Sequence, residues 1–277
     1  MSKPAPSLAF RAAGALVGLA AGRSLALAGR ADGGLALARI LAEELAAGRR
    51  DLRSLAHRWV ARYQEDPRDI DPETAAALAH LARHDAPPSR AAGPGSDPLV
   101  RALPVALAAH DAPRTLVSAT YHVAALTHPE PVVAWSAVAV NVALARLLQG
   151  KRDFVPDVIE ALRSNDVPEV VLAAARRVPL PAAAPGERSG PGLAVADAEA
   201  ALRLAYHEPV VDRGLRAVAE PGVAAAGRAG LSGALLGARD GVGALPEAWI
   251  AVVDGGGLAA LAARLVRVES PAAGASP

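Results

Sequence analysis

Apolar residues recur at helical spacing along almost the whole of this chain, and no run between turn signals alternates with period two. That pattern leaves α-helices as the building element. They are expected near 8–28, 33–48, 51–64, 72–84, 97–110, 113–126, 130–149, 153–164, 167–177, 193–206, 209–219, 223–239, 246–253 and 256–268. The apolar content is mostly Ala, Leu and Val, and aromatic residues are only 3% of the chain. Ala and Leu are strong helix formers. A core of such small aliphatics suits closely packed helices, whereas a β-sandwich draws on β-branched and aromatic side chains. The expected fold is all-α, a single compact orthogonal multi-helix domain over residues 1–268, followed by a disordered tail at 269–277. The Pro/Gly-rich segments 84–98 and 178–192 read as loops within that domain, because helices of similar character flank both.

Bulk charge excludes some functions. The 277 residues carry a net charge of +1, and their basic side chains are scattered without interleaved aromatics. No nucleic-acid or membrane partner is expected from such a surface. The absence of cysteine rules out disulfides, zinc thiolate sites and a Cys nucleophile. Residues 12–22 form an apolar run after Arg11 that a signal peptide also shows. The run is far shorter than a membrane span. It reads here as a buried first helix, which makes the expected compartment the cytoplasm. The heavy use of Ala, Gly, Pro and Arg is that of a high-GC bacterial genome.

Four segments in order resemble the ADP-ribosylglycohydrolase family, including the glycohydrolases that activate dinitrogenase reductase. Arg11 to Ala26, RAAGALVGLAAGRSLA, is similar to the family opening GxLxGxAxGDALG. Gly95 to Leu107, GSDPLVRALPVAL, is similar to GNGSLMRxxPxxL. Thr127-His128-Pro129-Glu130-Pro131 matches a THPDP turn. Val195 to Trp249 is similar to the family's C-terminal half, and its best part, Ser232 to Trp249, SGALLGARDGVGALPEAW against AGALLGAxYGxxxIPxxW, makes this the most specific of the four. The resemblance implies one helical domain with two magnesium or manganese ions between its helices. The ions would position ADP-ribose and a water for cleavage of a glycosidic bond. Their ligands would come from an early T/S-D-D motif and a late D-x-D-T motif, because a pair of hard divalent cations needs several carboxylate oxygens.

Those ligands are what this sequence lacks. The late motif falls on Ala224-Ala225-Ala226-Gly227, so Ala224 and Ala226 stand for the two carboxylates and Gly227 for the hydroxyl. Residues 221–230, PGVAAAGRAG, hold no acid at all. In the early GDALG segment the acid position is Arg23, and a second acid position lies near Arg30. Of the T/S-D-D motif only Asp32 remains. A single carboxylate does not replace four or five, so no metal cofactor is expected.

The remaining candidates for a ligand cleft are Arg23, Asp32, Ser96, Asp97, Arg101, Thr127 and His128. Most also have a plain structural reading. Thr127 would cap the helix that starts near 130, Ser96 and Asp97 would cap the helix near 97, and Arg101 would form an ion pair or a cap. The acidic stretch Asp66, Asp69, Asp71 and Glu73 reads as a solvated turn with a helix cap. No catalytic residue is assigned. The leading expectation is a non-hydrolytic protein acting by binding, toward an ADP-ribose-like or other small ligand or toward a protein partner. The alternatives are a metal-free enzyme using His128 with Asp32 or Asp97 as acid and base, and an active hydrolase with ligands recruited from elsewhere.

Overall fold

The computed structural model describes residues 5–30, 32–90, 93, 95–181, 193–218 and 222–267, apart from the side chains of residues 223 and 224. The expected tail at 269–277 lies outside the described residues, as does most of the segment 178–192. Among the described residues every regular element is helical. The helices are α1 (Leu8–Ala26), α2 (Gly33–Ala46), α3 (Leu52–Glu65), α4 (Pro72–His84), α5 (Asp97–Ala108), α6 (Pro113–Ala125) and α7 (Pro131–Leu148). There follow α8 (Val155–Arg163), α9 (Glu169–Arg177), α10 (Leu193–His207), α11 (Val211–Val218), α12 (Val223–Asp240), α13 (Glu247–Ile250) and α14 (Gly255–Leu265).

Local chemistry sets several helix starts. Asp32, Asp51, Asp71 and Asp254 each accept a backbone N–H three residues on, satisfying a donor that the first turn leaves unpaired. Helix α1 stops where Ala28 and Gly29 turn to φ 52° and 72°. The stretch 246–253 forms only the single turn of α13, and a short 3-10 turn at Val242–Ala244 precedes it.

The axis of the molecule is the pair α1 and α12, whose backbones touch. A Cβ on Gly18 would lie 2.1 Å from the Gly233 carbonyl oxygen, and one on Gly14 would lie 2.1 Å from that of Gly237. One on Gly22 would lie 2.2 Å from the Ala229 oxygen. These glycines recur every four residues along one face of α1, so the close approach runs its length. Helix α7 is buried through most of its residues and forms the second wall of the core with α5, α6 and α10. By length and hydropathy α1 and α7 match a membrane-crossing helix, yet most of each is packed inside the molecule. The residues from 12 to 22 are buried throughout, among them the apolar run near the N-terminus.

Candidate functional site

The contact between α1 and α12 delivers Arg23, on the last turn of α1, against the start of α2 and of α5. Its guanidinium is 4% exposed. Nε and Nη2 donate to the two oxygens of Asp32 at 2.6 and 2.7 Å, and Nη1 donates to Asp97 Oδ1 at 2.6 Å. Asp32 also caps α2 through the Leu35 N–H at 3.0 Å. Asp97 opens α5, but it does so as the partner of Arg23, and Ser96 makes no side-chain cap bond. The expectation that Ser96 and Asp97 cap this helix is therefore replaced. A charged hydrogen bond to a buried guanidinium outweighs a local cap.

A third carboxyl completes the group. Asp71 accepts the Thr74 N–H at 2.8 Å and caps α4, as expected, but it is half-buried and lies beside Asp97. Burial and the neighbouring Asp97 raise the Asp71 carboxyl above its ordinary range. Burial acts to raise Asp97 too, but the Arg23 guanidinium and the hydrogen bond from Asp71 prevail and hold it well below the ordinary carboxylate range. Of the two, Asp71 is therefore the one that takes up a proton first as pH falls. Burial alone would lower Arg23, and the Asp97 and Asp32 carboxylates reverse that and raise it.

Beside this group lies a second. Arg101, 1% exposed, donates to the Thr74 hydroxyl at 2.8 Å and to the Thr127 hydroxyl, and stands 5.6 Å over the Trp59 ring. Thr127 is thus an acceptor for Arg101 and not a helix cap; the cap position of α7 is Glu130, which makes no side-chain cap bond. His128 is fully buried, with Nδ1 3.1 Å from the Thr127 hydroxyl and Nε2 3.7 Å from Glu73 Oε2. The Thr127 oxygen thus meets both Arg101 and Nδ1, while Nε2 faces Glu73 beyond hydrogen-bond distance. Glu73 accepts the Gly95 N–H at 2.9 Å. Burial and the Arg101 charge push the imidazole down to about 3. His128 is neutral at physiological pH and sealed from solvent, a poor general base.

The first turn of α12 closes the site from the other side. A Cβ on Gly227 would lie 1.9 Å from Ser96 Oγ and 3.2 Å from Asp197 Oδ2. Ala226 is buried, and the side chain of Ala224 lies outside the described residues. All seven candidates read from the sequence gather in this one region: Arg23, Asp32 and Asp97 in one group, Arg101, Thr127 and His128 in the next, and Ser96 against α12. Asp71, Glu73, Thr74 and Trp59 were missed. Asp71 and Glu73 looked like part of a solvated turn, and the side-chain contacts that bring the start of α4 to α5, such as Arg101 to Thr74, leave no local sequence signal.

A family model described as ADP-ribosylglycohydrolase matches residues 4–274. This chain belongs to the ADP-ribosylglycohydrolase family. A solved structure described as "ADP-ribosylglycohydrolase-related protein complex" superposes with a TM-score of 0.79 at 24% identity, covering 95% of this chain and 99% of that one. The all-helical fold expected from the sequence is the fold of that relative. No curated protein matches. The two divalent cations that the family implies do not fit the residues as they stand. Both oxygens of Asp32 and one of Asp97 are engaged by Arg23, and the first turn of α12 brings no carboxylate. Among the described residues no three His, Cys, Asp or Glu side chains form a group that could hold a metal ion.

Proposed function

We propose that this chain is a non-hydrolytic member of its family that acts by binding, in the cytoplasm, with the dinuclear metal site lost. The observation that carries this reading is the first turn of α12. Where a metal ligand is wanted it presents Ala226 and Gly227, the latter in such close contact with Ser96 that even a Cβ would displace the serine. Glycosidic cleavage in the manner of the family needs several free carboxylate oxygens for its cations, and Asp32 and Asp97 are engaged by a guanidinium.

Burial favours a surface over the old cleft as the place of binding. Thr127 and His128 are fully buried and Arg101 nearly so, which leaves them no face toward a ligand. The same burial counts against the metal-free enzyme, since the one imidazole of the site reaches no solvent. A recess of about 600 Å³ between α6, α7 and α8, lined by Arg114, Tyr121, His122, Trp135 and Glu160 among others, is where this reading directs the search for a partner.

Calorimetric titration with ADP-ribose, with and without excess magnesium or manganese, tests the proposal. No heat in either condition is expected. Metal-dependent binding would restore the hydrolase, and metal-independent binding would return the old cleft as a nucleotide site.

A further inference from the structure

We propose that Arg23 is the resident cation of a guanidinium-shaped pocket formed by Asp32 and Asp97, standing permanently where a diffusible cation would otherwise be required. The first support is the match of donors to acceptors. Asp32 takes Nε and Nη2 side by side, and Asp97 takes Nη1 from another direction, all at 2.6–2.7 Å. Two carboxylates set around one plane fit a guanidinium fork. An ammonium, with its donors at tetrahedral angles, does not fill that arrangement.

The second support comes from two glycines. A Cβ on Gly34 would lie 2.6 Å from Arg23 Nη2 and 3.1 Å from Cζ, and one on Gly230 would lie 2.6 Å from Cγ and 3.1 Å from Cδ. Both sit inside helices, and neither has the positive φ that calls for glycine. A glycine within a helix lowers its stability. Gly34 makes room for the head of Arg23. Gly230 makes room for its stem and for Leu19. Arg23 cannot swing aside to admit a side chain at either position, because three charged hydrogen bonds hold its far end.

The third support is charge balance. Arg23 already sets its positive charge against Asp32 and Asp97, and Arg101 adds a second buried cation. A divalent ion added here would meet the Arg23 charge at close range. This inference stands on geometry and does not depend on the binding role proposed above.

The test is chemical rescue of Arg23→Ala, followed by thermal unfolding. The variant should melt roughly 10 °C below the wild type, since two buried carboxylates lose their partner. About 20 mM guanidinium chloride, far below denaturing concentrations, should recover roughly half of that loss by binding the folded state. The same concentration of sodium chloride or urea should not, and the wild type should not respond. Arg23→Lys, which keeps the charge, should be destabilised and unresponsive to guanidinium. If Arg23→Ala does not fold alone, refolding yield with and without guanidinium reads the same effect. The proposal is overturned if Arg23→Ala melts like the wild type, if guanidinium does nothing for melting or yield, or if manganese rescues as well as guanidinium. It is equally overturned if manganese stabilises the wild type.

Discussion

The two ends of helix α12 make opposite demands on their neighbours. From Gly230 to Gly237 it lies against α1 so closely that backbone touches backbone, and there the chain keeps the small residues of the family pattern. In the turn before it, around Ala226 and Gly227, the family's acids are absent and the helix closes on Ser96. Close backbone contact is a packing requirement that the fold cannot give up, because a Cβ at Gly18 or Gly233 has no soft neighbour to displace. Carboxylates are needed only while a cation must be held. A chain that carries its own cation on α1 has no use for them on α12.

Breaking the polar side of this comparison should have the largest effect. Asp97→Ala removes one partner of a buried guanidinium and frees Asp71 to ionise, and should cost about 3–5 kcal/mol in chemical denaturation. A loss below about 1 kcal/mol would mean the group behaves as a solvated surface pair. The packing side follows. Gly18→Ala drives a Cβ into the Gly233 carbonyl and should cost about 3 kcal/mol. Full stability in this variant would show that the two helices separate cheaply.

A third experiment sharpens the contrast through pH. His128 in the folded state is held at about 3, against an ordinary value of 6.5. Below pH 6.5 the unfolded chain takes up a proton that the folded chain refuses, so stability falls as pH drops toward 3. The contribution is roughly 1 kcal/mol per pH unit over that window. His128→Gln should flatten this limb, and an unchanged slope in urea titrations at pH 6, 5 and 4 would place the acid sensitivity elsewhere. Smallest is a control away from both regions. Gly256, in α14, has open space around its Cβ position, so Gly256→Ala should stabilise by about 0.5–1 kcal/mol.

Much of this was legible in the sequence for a physical reason. Helical period is a local property, and the stretch 72–84 emerges with those bounds because Asp71 caps it and Asp85 ends it at φ 51°. The overrun of α1 to residue 28 came from apolar residues that continue past the point where Ala28 and Gly29 turn left-handed. The site was legible as a set of names and not as a set of bonds. Arg23, Asp32, Asp97, Arg101, Thr127 and His128 were read as candidates, and they do converge. Which hydroxyl meets Arg101, and which acid lies beside Asp97, depends on where the start of α4 falls relative to α5. That is a tertiary fact with no spacing to reveal it. For the same reason Thr127 read as a cap, since nothing nearby in sequence shows that Arg101 claims its oxygen.

The central claim is that an arginine has taken the place of metal, and manganese binding to the wild-type protein tests it most directly. In a titration followed by the electron paramagnetic resonance of free manganese, the account predicts no sites on the wild type. Two saturable sites per chain would contradict it, because the acids could then be holding cations with Arg23 in place.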